Sequence, residues 1–130
     1  MIGLDTTAII DIFKNEKSII SLLLEIEEQI SSTQINYQEI MFGLDLTKEE
    51  HKKEKEKYDN FFKNVIYFTL SDDSVVKASE IFWGLKRQKK EAERFDSMIA
   101  GILLSNGINK IITKNVKHFE NIKGLEVISY

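Results

Sequence analysis

Short apolar segments that alternate with longer amphipathic ones restrict the fold of this sequence more than any other feature. Apolar runs of this kind are typical of buried strands, and the segments between them are long enough for helices. Strands that are joined by helical crossovers run parallel and cross with a right hand. The pattern therefore predicts an α/β fold with a mainly parallel sheet. The predicted strands are Met1–Asp5, Gln29–Ser32, Val65–Leu70, Ile108–Thr113 and Glu126–Ile128.

The intervening segments carry apolar residues at helical spacing, and Thr47–Lys57 is a charged stretch that predicts a solvated helix. The helix after the third strand should begin at Ser71 or Asp72, and the next helix should begin near Asp96. The last two strands are expected to follow one another without a helix. The other predicted helices are Ala8–Phe13, Ser18–Glu28 and Asn36–Phe42, and the predicted inner faces are Val75, Ala78, Ser79, Phe82 and Leu85, then Met98, Ile99, Ile102 and Leu103.

Composition narrows the class of protein. The 130 residues are 42% hydrophobic, which predicts one domain that spans residues 1–130. The chain has no cysteine, which excludes disulfide scaffolds, thiolate metal sites and thiol nucleophiles. The net charge of −3 gives no overall attraction to nucleic acid. With no membrane-length apolar run and no basic leader at the N-terminus, we expect a cytoplasmic protein.

Three carboxylates from distant parts of the chain are expected to meet at one edge of the sheet. In open α/β sheets, ligands bind beyond the carboxyl ends of the strands. Asp5 ends the first strand, Asp96 opens a helix before the fourth strand, and Glu39 lies in the helix after the second strand. Thr113 and Asn115 stand at the end of the fourth strand. Each acid also has a local alternative: a helix cap for Asp5 and Asp96, and an ordinary surface position for Glu39.

Such a cluster of carboxylates favours a hard divalent cation. Like charges raise one another's pKa values, so the group is costly without a positive partner. Mg²⁺ and Mn²⁺ prefer oxygen ligands and also bind phosphate oxygens. The histidines, His51 and His118, lie far apart and fit no zinc motif. The acidic cluster therefore indicates phosphoryl chemistry more than zinc hydrolysis.

Four blocks of the sequence carry a family resemblance. They are IGLDTTAIIDIF at the N-terminus, NYQEIMFG, FDSMIAGILLSNG and the closing ITKNVKHFENIKGLEVI. Together they resemble the PIN domain, and more narrowly the VapC-type toxin ribonucleases. The resemblance covers essentially the whole chain. It implies a three-layer α/β/α PIN-like fold with a mainly parallel central sheet of about four to five strands.

The resemblance also implies roles for the acids. Asp5, Glu39 and Asp96 match the family's three acids and would be both catalytic and metal-binding. The fourth acidic position of the family is less uniform. Asn115 stands there as a polar or water-mediated metal ligand, where some members have aspartate. His118 stands where many members have aspartate before phenylalanine, and its role stays open.

Further residues are candidates for supporting roles. The Thr6 hydroxyl could hold a metal-bound water or a substrate phosphate, or only cap the first helix. Thr113 could donate a hydrogen bond to the cluster, and Glu93 could match an acid that occurs a few residues before the third acid in the family. Basic residues around the expected site are candidates for contacts with the RNA backbone. They are Arg87, Lys89, Lys90, Arg94, Lys114 and Lys117.

The activity that the resemblance implies is metal-dependent cleavage of RNA. A water activated by one or two Mg²⁺ or Mn²⁺ ions would attack the phosphodiester bond. A VapC-type toxin would pair with a small antitoxin, and the family is commonly homodimeric. Phe13, Phe42, Phe61 and Trp83 are candidates for apolar surface at either interface. Two alternatives stay open: a PIN-domain nuclease of RNA processing or decay, and an inactive PIN-like module that binds RNA or protein.

Overall fold

Five short parallel strands form one sheet at the centre of the molecule. The computed structural model describes residues 1–130. The strand order across the sheet is β3-β2-β1-β4-β5, and every neighbouring pair is parallel. The prediction of a mainly parallel sheet is confirmed. The strands are β1 (Ile2–Leu4), β2 (Ile30–Thr33), β3 (Ile66–Phe68), β4 (Lys110–Ile112) and β5 (Glu126–Ile128).

Seven helices enclose the sheet on both faces, and this confirms the three-layer α/β/α architecture. Buried residues form two separate clusters, one centred on α1 and α2 and the other on α6. None of the helices combines the length and the apolar character that a membrane crossing needs. The helices are α1 (Thr6–Phe13), α2 (Lys17–Glu25), α3 (Gln34–Phe42), α4 (Glu49–Lys63), α5 (Asp72–Arg87), α6 (Arg94–Ser105) and α7 (Val116–Phe119).

The first strand lies in the middle of the sheet. Ile2 and Gly3 face Ile30 and Ser31 of β2, and Gly3 also faces Ile111 of β4. The Asp5 backbone N–H then donates to the Ile112 carbonyl at 3.0 Å, so β1 stays in register with β4 to its end. As a result, Asp5 enters the carboxyl edge of the sheet between the ends of β2 and β4.

Capping boxes begin two of the helices, as expected for a chain without proline. The Thr33 and Ser71 side chains each accept a hydrogen bond from the backbone N–H three residues later, in capping boxes. Gly107 follows α6 with a φ of +73°, a left-handed conformation that glycine adopts without steric cost. Local sequence therefore sets the start of α3 and α5 and the end of α6.

The structure corrects three details of the prediction. The predicted inner face of α5 is wrong at Val75 and Ser79, because both residues are exposed. Helix α6 packs closely beside Ser74 and Ala78 instead. Helix α6 begins at Arg94, before Asp96. The short helix α7, which the sequence does not predict, precedes β5 and buries Phe119 completely. A helix of four residues is too short to show a period, and it gives the crossover that β4 and β5 need to run parallel.

We expect Gly101→Ala to lower the free energy of unfolding by about 1–3 kcal/mol. A Cβ at Gly101 would lie 2.8 Å from the Ala78 nitrogen and 2.9 Å from the Ser74 carbonyl oxygen, so helices α5 and α6 would have to separate. Gly84→Ala is the matched control, because a Cβ there meets nothing within 4 Å. It should raise stability by about 0.5–1 kcal/mol. Urea denaturation followed by circular dichroism measures both, and equal effects would contradict the close contact.

Candidate active site

The Asp5 carboxylate is buried at the carboxyl edge of the sheet and is surrounded by donors. Only 4% of the residue is exposed. Thr113 Oγ1 donates to Asp5 Oδ2 at 2.7 Å, and Thr7 Oγ1 donates to the same oxygen at 3.3 Å. On the other side, Asn36 Nδ2 lies 3.5 Å from Asp5 Oδ1. The side chain forms no capping hydrogen bond with α1, so the alternative role as a helix cap is not what holds it.

Glu39 is linked to Asp5 through Thr6 and Asn36. Thr6 Oγ1 donates to Glu39 Oε1 at 2.6 Å and accepts from Asn36 Nδ2 at 3.0 Å. The Asn36 side chain is fully buried, and its Oδ1 accepts from Thr33 Oγ1 at 2.7 Å. Because its oxygen is committed to the end of β2, its amide N–H groups must point at Asp5 and Thr6. Glu39 itself is half-buried, so the alternative that it is an ordinary surface residue is wrong.

Asp96 lies in the first turn of α6 and contacts His118. Its Oδ2 is 2.8 Å from His118 Nδ1, and the residue is only 8% exposed. The N-cap of α6 is Glu93, whose carboxylate accepts from the backbone N–H groups of Phe95 at 3.0 Å and Asp96 at 2.7 Å. The alternative that Asp96 caps the helix is therefore wrong, and its carboxylate is free to face the cluster.

The acids of the cluster raise one another's pKa values. Burial raises the pKa of Asp96 to about 7, and the negative charges of Glu93 and Asp5 add to this effect. Burial also raises the pKa of Glu39, with further contributions from Asp5 and Glu93. The pKa of Asp5 is raised by burial, against the hydrogen bonds from Thr113 and Thr7. Asp5 and Glu93 therefore lie within electrostatic reach of Glu39 and Asp96, while His118 acts on the pKa values of the three acids in the opposite direction.

The donor set fits a hard divalent cation that keeps part of its water. All of the acidic ligands are carboxylate oxygens, and their mutual repulsion would be relieved by a cation. In the structure, no three His, Asp or Glu side chains lie close enough to enclose an ion by themselves. Mg²⁺ is commonly held through one or two carboxylates, with waters and phosphate oxygens at its other positions. The arrangement is consistent with that mode of binding.

The loop after β4 closes one side of the cluster through its backbone. The Asn115 N–H donates to Thr113 Oγ1 at 3.0 Å, and the Lys114 N–H donates to Thr7 Oγ1 at 3.2 Å. The Asn115 side chain is exposed and forms no hydrogen bond with an acid. Its role as a metal ligand therefore stays a prediction, and what the structure shows is a backbone that orients Thr113.

The basic residues predicted to contact RNA are exposed, with different surroundings. Arg94 begins α6, and its guanidinium lies 5.7 Å from the centroid of the Phe82 ring. Lys114 points elsewhere, because its Nζ lies 3.7 Å from Asp11 Oδ2 on α1. The remaining side chains project from the end of α5, the following turn and α7 without an ion pair. They are Arg87, Lys89, Lys90 and Lys117.

Sequence reasoning misses Asn36 and Thr7 as parts of this site and leaves His118 open. Asn36 follows the run Ser31–Thr33 at the start of a helix, so it reads as ordinary capping chemistry. The only signal is that a polar residue occupies the first turn of α3 on the same side as Ile35 and Ile40, which are buried. Contact between His118 and Asp96 depends on α7, which the sequence does not predict.

Comparisons with known proteins agree with one another on the fold. The family model for the PIN domain matches residues 2–125. A search of curated protein sequences gives no match. The structure is similar to that of VapBC2 from Rickettsia felis bound to a DNA fragment from its promoter, with a TM-score of 0.85 at 20% identity over 100% of this chain and 99% of the other.

Two further solved structures are similar over nearly their whole length. DNA-bound VapBC from Salmonella typhimurium has a TM-score of 0.83 at 20% identity, over 98% of this chain and 96% of the other. VapBC-1 from nontypeable Haemophilus influenzae has a TM-score of 0.82 at 24% identity, over 99% of this chain and 98% of the other. At these levels of identity the likeness establishes the fold.

In protein without divalent ions, we expect Asp96 to make the folded state less stable as the pH rises from about 4 to about 7. The pKa of Asp96 is about 7 in the folded chain, against a reference value of 3.8. Between these values the folded state binds more protons than the unfolded state, so the contribution to stability is lost as the pH rises.

Thermal denaturation of Asp96→Asn and the unchanged protein measures this effect. The variant should have the higher Tm at pH 8, and the difference should disappear near pH 4. Glu56→Gln, which neutralises an exposed acid on α4, should follow the unchanged protein at both values. A constant difference at all pH values would show that the pKa of Asp96 is not raised.

Proposed function

The chain belongs to the PIN domain family, and from that premise we propose that it is a divalent-metal-dependent endoribonuclease, the toxin of a VapBC-type pair. One observation carries the proposal: carboxylates from three distant elements lie within electrostatic reach at the carboxyl edge of the sheet, where their pKa values are raised. They are Asp5, Glu39 and Asp96. A structural role alone would not favour such mutual repulsion.

The three acids would hold the cation together with bound waters, because they do not enclose an ion by themselves. When bound, Mg²⁺ or Mn²⁺, as one ion or two, supplies an acidified water as the nucleophile and offsets charge on the scissile phosphate. Asp5 is fixed by Thr113 and Asn36, so its carboxylate would meet the ion with little loss of conformational freedom. Glu39 is more exposed than Asp5 and would adjust its position to the substrate.

Three neighbouring side chains orient these ligands. Thr113 and Thr7 both donate to Asp5 Oδ2, so they fix the orientation of the Asp5 carboxylate. His118 Nδ1 shares a hydrogen bond with Asp96 Oδ2, and it must be the donor once Asp96 is ionised. The imidazole thus holds Asp96 in one rotamer while leaving Oδ1 available. Asn115 would bind through a water, and Glu93, whose carboxylate accepts from the backbone of α6, would add negative charge beside Asp96.

The toxin role draws on the structural neighbours. VapBC complexes from several bacteria share the fold over nearly the whole of each chain, and another neighbour is described as a toxin–antitoxin complex. This supports a small antitoxin as the partner of this chain. We propose RNA as its substrate and the cytoplasm as its location because the toxin role requires both. Exposed aromatic side chains offer surface for an antitoxin or for a homodimer. They include Phe13 and Trp83, at 36% and 56% exposed.

A second candidate is a PIN-like module that binds without cleaving. The exposed Asn115 side chain favours it, since the family's fourth acidic position then adds no charge. The coupled Asp5, Glu39 and Asp96 favour catalysis, because a binding module has no need of them. A nuclease of RNA processing or decay would use the same chemistry, and only the cellular tests below separate it from a toxin.

We expect Asp5→Asn, Asp96→Asn and Glu39→Gln each to abolish metal-dependent cleavage of a mixed cellular RNA pool. The loss should exceed the roughly 10–100-fold effect of removing a residue that only supports a metal ligand. Cleavage is measured with Mg²⁺, with Mn²⁺ and with a chelator. Glu56→Gln is the matched control and should cleave at the wild-type rate. Equal cleavage by Asp96→Asn would place the active site elsewhere.

The same variants test the toxin role in cells. Induced synthesis of the wild-type chain should arrest bacterial growth, and Asp96→Asn should not. Co-expression of a small protein encoded next to this chain should restore growth. If the wild-type chain cleaves RNA in vitro but leaves growth unaffected, a role in RNA processing or decay replaces the toxin role.

Thr113→Val should reduce cleavage by about 10–100-fold and should raise the Mg²⁺ concentration needed for half-maximal rate. The substitution keeps the shape of the side chain but removes the donor that lies 2.7 Å from Asp5. Thr113→Ser keeps the hydroxyl and should retain most of the activity. If both variants lose activity equally, the contribution of Thr113 comes from its packing and not from its hydrogen bond.

A further inference from the structure

We propose that Phe42 and Phe95 form a stacking site for one unpaired base of the substrate, beside the carboxylates. This inference rests on the proposed nuclease function and adds a binding subsite to it. Phe42 is 71% exposed and Phe95 is 36% exposed, although both are large apolar residues. Their ring centroids lie 6.3 Å apart with an interplanar angle of 27°, so the two ring planes are close to parallel, and the more exposed ring, Phe42, leaves aromatic surface open to solvent.

The aromatic pair is built on the same two helices as two of the acids. Phe42 follows Glu39 by three residues in α3, which places both on one side of the helix. Phe95 directly precedes Asp96 in α6. Helices α3 and α6 pack against each other. A phosphodiester held at the acids would therefore bring an adjoining base within reach of the two rings.

Cations complete the surroundings that a nucleotide needs. A pocket of about 410 Å³ contains Phe95 together with Lys86, Arg94 and Phe82. The Lys86 Nζ and the Arg94 guanidinium lie 5.4 Å and 5.7 Å from the centroid of the Phe82 ring. These two cation–π contacts with Phe82 hold two positive charges next to Phe95. Aromatic faces beside clustered cations are the combination used to bind single-stranded nucleic acid.

The charge around the pair argues for RNA over a protein partner. Glu39 and Asp96 adjoin it on the two helices, and Glu93 lies in the same pocket as Phe95. An apolar protein surface seated on the rings would take these carboxylates out of water without a compensating charge, which is costly. A nucleotide places only its base on the rings. Its phosphates remain with the cations and the metal site.

Fluorescence of single-stranded RNA that contains 2-aminopurine tests the stacking. The oligonucleotides carry the probe at successive positions and are titrated against Asp96→Asn protein, so that no cleavage occurs. At one position the fluorescence should be quenched on binding. Adding Phe42→Ala or Phe95→Ala should remove the quenching and weaken binding by about 5–150-fold. Affinity for a fully paired duplex of the same sequence should stay unchanged.

Two substitutions at Phe42 separate stacking from apolar contact. Phe42→Tyr keeps the ring and should bind as before, whereas Phe42→Leu keeps apolar surface and should lose the quenching. Leu24→Ala is the matched control, because Leu24 is 83% exposed on α2 and should have no effect. Equal quenching with phenylalanine and leucine would overturn the proposal.

The remaining outcomes distinguish the two proposals. If wild-type protein cleaves RNA and Phe42→Ala and Phe95→Ala cleave and bind equally well, the stacking site is wrong and the nuclease stands. If light scattering then shows that these variants alter the oligomeric state, the pair is a contact between two copies of the chain. If wild-type protein neither binds nor cleaves any RNA, both proposals fail.

Discussion

The burial of the Asp5 carboxylate at the end of the central strand is the constraint on which the rest of the structure depends. A buried charge is costly unless donors or a cation compensate it. The donors come from separate parts of the chain: Thr113 after β4, Asn36 in α3 and Thr7 in α1. The parallel order β2-β1-β4 brings all of them to one edge. The strand order therefore determines both the topology of the sheet and the position of the acidic site.

The acidic cluster lowers the stability of the folded chain, because it holds negative charges close together. A chain selected only for stability would not place Asp5 and Glu93 where their charges raise the pKa values of both Glu39 and Asp96. The polar network supplies donors to Asp5 and Glu39, while His118 alone faces Asp96. Compensation is thus incomplete without a cation. The metal affinity that we propose for the site and its electrostatic strain have the same origin.

Much of the architecture could be predicted because apolar runs and helix caps are local signals. The five strands and the edge at which Asp5, Glu39 and Asp96 meet follow from the rule for parallel sheets. The inner face of α5 could not be predicted, since it is set by the close approach of Gly101 on another helix. The contribution of Asn36 likewise depends on contacts with Asp5 and Thr6, which lie about thirty residues away in the chain.

The central place of β1 also governs when the site can form. Asp5 is synthesised well before the donor of its shortest hydrogen bond, Thr113, which lies 108 residues later in the chain. Domains fold as units, and contacts so distant in sequence form slowly because a long loop must close first. A growing chain therefore carries the acids in an unassembled state until β4 has been synthesised. A chain with this order of strands cannot assemble the acidic site until most of the domain has been synthesised.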